Sequence, residues 1–559
     1  MPEWCKLDLR APRWRSQERG PTRLWFRGYL YDTTPDLLLA NLADPGFDEH
    51  RPDFSGLRGH FALVASCRER DWVLAAVDHV RSIPLAFARS GDGWLLGDIS
   101  GEVAKRLGLG PDDVDPRAAR AIAMAGYTIG DDVLYRPLKM LLPGQSVVLG
   151  KAGAERHRYH VFQPWRVEER DRSTLKAELK ETTLDVLERM SDSTDGRPIV
   201  VPLSGGLDSR LVASGLRHLG RRDVRCFSYG IRGGHEALVA QRVAARLGYD
   251  WTFVPYTVKS QRAWFSSPDH EAYLAFADTC AATPFESDLP AIRYLEESGW
   301  LPEGSVIING QSGDFISGNH IHPALHAPGG SGGARERERL VIRSLLRKHF
   351  RLWDVLVDPE ADAMLEEALH EVISEIEAPL DDPDTLHGVY EFCEFQDRQA
   401  KYVINGQRIY DFADYDWRLP LWDPAYLDFW QGVPLSAKVN QVLYRETLDE
   451  ANWGGVWGDE LRLGRPRRPR RVLVPRFGLQ KMFDLVWPEA WDRLDRRVFT
   501  YWKWNTLGHS YWPYRQVLMD GRGARHSVSW WTEHYLNSKG LSFSGEPLKD
   551  APRGAPRES

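Results

Sequence analysis

Cysteine is scarce. The 559 residues hold five, Cys5, Cys67, Cys226, Cys280 and Cys393, widely spaced and without a CxxC pair. That argues against a disulfide framework or a structural zinc site and fits a reducing cytoplasm. No run of about 18 apolar residues occurs, so a membrane-spanning helix is not expected. The opening MPEWCKLDLRAPRWR lacks the apolar stretch of a secretory signal, and a cytoplasmic location is expected. Excess positive charge is missing too: 72 Lys and Arg stand against 79 Asp and Glu, a net charge of −7. A mildly acidic chain is a poor nucleic-acid binder, which needs a basic surface. The 17 histidines show no HExxH spacing, and no internal repeat is present. Tryptophan, by contrast, is abundant at 22 residues, concentrated toward the C-terminal third. It predicts a large aromatic core or an aromatic-lined cleft there.

Short apolar runs at 24–31, 59–65, 71–77, 93–96 and 147–149 alternate with Gly, Asp and Arg turns. They predict a β-rich α+β domain over residues 1–165. From Arg172 the pattern turns helical, with Leu175, Leu179, Thr183, Leu184 and Leu187 on one face, so the boundary falls at 160–172. Strands at 198–203, 224–229, 252–255 and 305–308 then alternate with helices at 209–219 and 236–247. This predicts an α/β domain over 172–545 with a parallel, doubly wound sheet and a helical C-terminal part. The stretch 328–333 reads as a flexible glycine loop, and 546–559 as a disordered tail.

The sharpest signal is Leu203-Ser204-Gly205-Gly206-Leu207-Asp208-Ser209, between a strand and a helix. Paired glycines let the backbone approach a ligand, and the helix N-terminus adds its positive dipole end. Ser204 and Ser209 supply hydroxyls, and Asp208 supplies a hard oxygen suited to Mg²⁺. The plain alternative is a strand–turn–helix with an N-cap serine, but the whole heptapeptide in this context is more specific than that. GxxxxGK[ST] is absent, so this is no Walker loop.

SGGLDS resembles the pyrophosphate loop of the ATP-pyrophosphatases, and the C-terminal half resembles the asparagine synthetase family within them. Phe227-Ser228-Tyr229-Gly230 is similar to that family's adenine-proximal strand end, and His235-Glu236 to its following segment. Asn309-Gly310-Gln311-Ser312-Gly313-Asp314 resembles its "SGEGxDE" loop, and Asp416-Trp417-Arg418-Leu419-Pro420 its "E-x-R-x-P" segment. The resemblance implies ATP and Mg²⁺ as cofactors, with Asp208 and Asp314 holding the metal. Leu203, Ser204, Gly205, Gly206, Asp208, Ser209, Ser228, Tyr229, Gly230 and Gly310 are then expected at the nucleotide, and Gln311, Arg418 and Lys481 at the reaction, with Lys438 a rival to Lys481. Gln311 stands where the family has Glu, so it cannot act as a general base. Phe315 and Asn319 replace Glu and Gly.

The first domain resembles the family's N-terminal-nucleophile glutaminase domain in reduced form. The segments that carry this are Gly28-Tyr29-Leu30-Tyr31-Asp32, Leu57-Arg58-Gly59-His60-Phe61-Ala62, Asp78-His79-Val80-Arg81 and Leu142-Pro143-Gly144. An active member needs cysteine directly after the initiator methionine, with its free α-amine as base. Here residue 2 is Pro, the nearest thiol is Cys5, and Arg27 stands where the family uses an oxyanion-hole Asn.

Three other features invite weighing. Arg465-Pro466-Arg467-Arg468-Pro469-Arg470-Arg471 reads as a solvated loop or as a site for an acidic group. The segment 398–402 reads as a surface helix face before an acceptor cleft. Tyr501, Trp502, Trp504, Tyr511, Trp512, Trp530 and Trp531 read as core before a sugar platform.

The expected activity is therefore ATP-dependent amide-bond formation. A substrate carboxylate takes AMP and releases pyrophosphate, and an amine then displaces AMP, without glutaminase chemistry in the first domain. The carboxylate is expected on a small molecule or peptide, leaning toward a sugar acid. The amine is ammonia or part of the substrate, and a separate amine-supplying or precursor-delivering protein is a candidate partner. The alternatives are a ring-closing synthetase of lasso peptide cyclase or β-lactam synthetase type, and an ATP-binding scaffold without turnover.

Overall fold

The first 160 residues build two stacked sheets, and each takes its cover from the alternation of its own side chains. The computed structural model describes residues 1–326, 332–462, 470–486, 491, 494–495, 498 and 512–548. Most of the glycine loop, Arg465, Arg467 and Arg468, Tyr501, Trp502, Trp504 and Tyr511, and 549–559 lie outside the described residues.

Ten strands belong to the first domain: β1 Cys5–Asp8, β2 Arg15–Arg19, β3 Thr22–Leu30, β4 Gly59–Cys67, β5 Trp72–Val77, β6 Ala86–Ser90, β7 Gly93–Gly97, β8 Lys139–Met140, β9 Gln145–Leu149 and β10 Ala154–Arg158. They form a four-stranded sheet, β1-β7-β6-β8, and an antiparallel six-stranded sheet, β10-β9-β5-β4-β3-β2. In β4, Phe61, Leu63 and Ala65 turn to one side, under Leu38, Leu39 and Leu42 of the helix Pro35–Leu42. Ala62 and Val64 turn to the other, against Phe87, Trp94 and Leu96 of the smaller sheet. This is the period-2 pattern of a strand covered on both faces. Leu95 points outward to Val103 of the helix Ser100–Arg106 and Ile122 of the helix Pro116–Ala125. The layers therefore run helix, sheet, sheet, helix, the expected β-rich α+β domain.

The third sheet is parallel throughout among the described residues. Its strands are β11 Ile199–Pro202, β12 Val224–Gly230, β13 Asp250–Pro255, β14 Val306–Ile308 and β15 Asp416–Arg418, in the order β13-β12-β11-β14-β15. β11 and β14 are fully buried apart from Pro202, the near-continuous apolar runs of a sheet covered on both faces. β15 adds a fifth strand to the four expected.

One apolar cluster runs through both units, joining Ala62 and Val64 to Leu203, Trp417 and Trp422. A second cluster joins the helix Pro116–Ala125 to Trp353, Tyr390 and the C-terminal helix Ser527–Ser538. Trp353, Trp422 and Trp430 are fully buried, and Trp530 meets Trp353 edge-on at 5.9 Å, a core arrangement. Residues 546–548, assigned to the tail by composition, turn back: the Leu548 amide donates to the Gly540 carbonyl at 2.9 Å. All five cysteines are buried and free. Among the described residues no helix is long and apolar enough to cross a membrane.

Candidate functional site

Strand order reverses between β11 and β14, and at such a switch point the loops leaving the strand ends part to open a crevice. Both loops singled out in the sequence leave the sheet there. After β11, the Ser204 amide donates to Ser209 Oγ at 2.9 Å and the Gly206 amide to Ser204 Oγ at 3.1 Å. The two hydroxyls lie 3.0 Å apart, and Arg210 Nη2 ties the Gly205 carbonyl at 2.8 Å. The loop is thus closed on itself at the start of the helix Asp208–His218, whose first-turn amides favour an anion.

The loop after β14 packs onto this helix start because it carries glycines. A Cβ on Gly310 would lie 2.7 Å from the Ser209 nitrogen, and one on Gly313 would lie 2.6 Å from Asp208 Oδ1. The close approach brings two carboxylates together. Asp208 Oδ2 accepts from the Asp314 amide at 3.0 Å, and Oδ1 accepts from the Tyr444 hydroxyl at 3.1 Å. Burial first, and the Asp314 charge second, push Asp208 up to about 7.

Asp314 moves the other way. Burial alone would raise it, but its hydrogen bond to His320 and the charge behind that bond hold it below the ordinary carboxylate range. His320 Nε2 lies 3.2 Å from Asp314 Oδ2, while Nδ1 meets the buried Glu394. Glu394 also gathers His349 at 3.0 Å, Lys348 at 3.4 Å and Arg398 at 3.5 Å. Burial works against the imidazolium, yet the Glu394 charge and the bond to Asp314 prevail and raise His320 to about 9. Among the described residues no group of three or more His, Cys, Asp or Glu side chains is spaced to hold a metal alone. Two facing carboxylates at a phosphate loop are instead the donor set Mg²⁺ shares with phosphate oxygens.

Two cavities flank the loop, and Asp208 and Asp314 line both. The first, about 460 Å³, takes in Ser204, Ser209, Ser228, Tyr229, Gly230 and Gln311. The second, about 430 Å³, takes in Gly205, Gly206, Arg210, Gln441, Arg445 and Arg462. Leu203 and Gly310 also border the first, so every expected nucleotide-binding residue borders one cavity or the other.

The expected residues do different things there. Ser228 Oγ donates to the Leu203 carbonyl at 2.6 Å, so it ties β12 to the loop. Gln311 lines the first cavity, and its buried Nε2 donates to no acceptor among the described residues. Arg418 is not in this group. It lines a separate cavity against the first domain, bonded to Ser193. Lys481 is exposed on the helix Arg470–Val486 and lines neither cavity beside the loop. Lys438 is buried and paired with Glu391 at 2.9 Å.

Several residues were missed. Asp288 receives the hydroxyls of Tyr229 and Tyr410, and Tyr410 Oη in turn accepts from Asn309 Nδ2 at 2.7 Å. The sequence around Asp288 reads as an acidic cap before Leu289-Pro290, yet the side chain makes no cap hydrogen bond and serves this network instead. Gln441, Arg445, Leu448 and Asp449 line the second cavity at the i, i+4, i+7 and i+8 spacing of one helix face. That spacing was the available signal.

Among known proteins, the asparagine synthase family profile matches residues 185–452, from the helix before β11 through the helix Val442–Ala451. No curated protein matches the sequence. Among solved structures, a glutamine phosphoribosylpyrophosphate amidotransferase from B. subtilis, complexed with ADP and GMP, is 12% identical with a TM-score of 0.18. The match covers 44% of this chain and 72% of that one. A structure described as the allosteric regulatory enzyme of purine biosynthesis is 12% identical with a TM-score of 0.16, covering 43% of this chain and 61% of that one. Similarity at these scores assigns nothing to the chain. The phosphate loop, the facing carboxylates and the profile match converge on one conclusion: the chain carries an asparagine synthase family domain, an ATP-dependent amide-ligase domain.

Proposed function

We propose that the protein is an AMP-forming carboxylate–amine ligase. The observation that carries this reading is the position of Asp208 and Asp314 between two cavities on either side of the Ser204–Ser209 loop. A triphosphate laid across the pair has its nucleoside in the first cavity and its β- and γ-phosphates beside Arg445 and Arg462 in the second. Asp208 and Asp314 are the residues to hold Mg²⁺, which when bound supplies charge neutralisation on the phosphates. The loop amides and the helix start bind the departing pyrophosphate. Gln311 Nε2 is the free donor placed to orient an oxygen of the acceptor carboxylate at the α-phosphate. The carboxylate then displaces pyrophosphate, and an amine displaces AMP to leave the amide.

The first domain supplies no nitrogen in this reading. Cys5 is buried in β1, its thiol pushed up to about 12 by burial. A thiol so held is not a nucleophile at neutral pH. Arg27 is engaged with Asp411 at 2.5 Å. The amine is therefore ammonia from outside the domain or a group on the substrate, and a uronic acid is the first acceptor to test.

ATP–pyrophosphate exchange with Mg²⁺, run on wild type and Asp208→Ala across uronic acids, amino acids and linear peptides, tests the proposal. Exchange stimulated by one class and abolished in the variant supports adenylation and names the acceptor. ATP binding without exchange for any acceptor overturns it in favour of a scaffold.

A further inference from the structure

A third cavity, about 670 Å³, lies away from the phosphate loop, between the first domain and the parallel sheet. One wall is β3, with Arg27 and Tyr29, and the facing wall is β15 with Arg418 and the end of the helix Arg172–Asp192 with Ser193. Arg13 and Arg197 stand at its rim.

Most of these cations have carboxylate partners. Arg13 and Arg197 both meet Asp416, and Arg189, also in the wall, reaches Asp423 at 3.2 Å. Arg27 Nη2 meets Asp411, but its buried Nη1 donates to no acceptor among the described residues.

Among the buried ones Arg418 is the exception. It is 4% exposed, and its donors go only to neutral oxygens: Nε to Ser193 Oγ at 2.8 Å, Nη2 to the Ser193 carbonyl at 2.9 Å and Nη1 to the Trp417 carbonyl at 2.9 Å. Its guanidinium lies 3.9 Å over the Tyr29 ring, which offsets part of the charge. Among the described residues it has no carboxylate in ion-pair contact. Burying a cation without a counter-charge is costly, and the usual remedy is a bound anion. Arg27 and Tyr29 are two residues apart on β3 and so share a face, and Arg27 and Arg418 line the same cavity.

We propose that this interdomain cavity binds a small anion of the carboxylate or phosphate class, with Arg418 and Arg27 Nη1 as its recognition groups. Guanidinium groups are the side chains best matched to both anions. The site is distinct from the nucleotide site, and it does not depend on the ligase reaction.

Thermal unfolding of the intact protein at constant ionic strength, titrated with inorganic phosphate or with succinate against chloride, tests it. The two titrations distinguish phosphate from carboxylate ligands. The expected result is a saturable rise in Tm of about 1 °C at tenfold excess over Kd. Arg418→Gln keeps hydrogen bonding toward Ser193 without the charge and is expected to abolish the response. Ser193→Asp places a carboxylate against Arg418 from within; it is expected to melt higher than wild type without ligand and to stop responding. No saturable response of wild type to either anion overturns the proposal. A response retained in either variant also overturns it, since the anion then binds elsewhere, as at the phosphate loop.

Discussion

Asp208 is asked to do two things that pull against each other. It is buried beside a second carboxylate, which raises its pKa to about 7, and in the proposed function it holds a cation, which needs it ionised. Asp208→Asn keeps the shape and removes the charge, and ATP–pyrophosphate exchange is expected to fall about 100-fold or more. Tyr444→Phe removes a single hydrogen bond to Asp208, worth about 1 kcal/mol, and a roughly 5-fold loss in the same assay is expected. At Cys5 the expectation is the opposite. Cys5→Ser should leave amide formation from ammonia unchanged, and glutamine should not replace ammonia in wild type; glutamine-dependent product that is lost in the variant contradicts this. The Ser204–Ser209 loop and its place between strand and helix were legible because its residues are contiguous in the chain. Asp288 and Tyr410 were not, because they lie more than a hundred residues apart and only the fold brings them to one hydrogen-bond network.

At the level of elements, the site depends on how closely the Asn309–Asp314 loop rests on the helix Asp208–His218. Gly310→Ala puts a methyl group against the Ser209 backbone, and backbone there cannot move aside as a flexible side chain would. A destabilisation of about 1–3 kcal/mol is expected, together with loss of exchange, read by urea unfolding and the exchange assay. Unchanged activity would show that the loop is free to lift. Long buried strands such as β4 and β5 announced themselves by apolar runs bounded by turn residues. β15 did not, since three residues, Asp416-Trp417-Arg418, carry no periodicity to read. β10, Ala154–Arg158, has three exposed residues and two half-buried ones, and no apolar face marks it in the sequence.

On the scale of the whole molecule, several histidines are locked neutral. Burial lowers His60, His79 and His387 to about 3 each, with His160 adding to the effect at His79 and Lys438 at His387. The unfolded chain takes up protons below about pH 6.5 while the folded chain does not, so stability falls as pH drops through the window from 6.5 toward 3. At pH 5 each contributes a loss of about 2 kcal/mol. The urea midpoint is expected to be clearly lower at pH 5.0 than at pH 7.5, and equal midpoints would contradict the assignment. The composition predicted a large aromatic core or an aromatic-lined cleft but not the reach of the core, because amphipathic patterns show which face is buried and not what covers it. The cover over the helix Pro116–Ala125 comes from the other end of the chain, where Leu536 and Leu541 join Ile122 and Met124 in one cluster and a Cβ on Gly545 would meet Ala119. That closure sets an order on biosynthesis. The helix Pro359–Glu375 covers part of this face, and the rest of the cover is in place only once residues 527–545 have been made. A premature stop upstream of Ser527 therefore leaves apolar surface of the first domain uncovered.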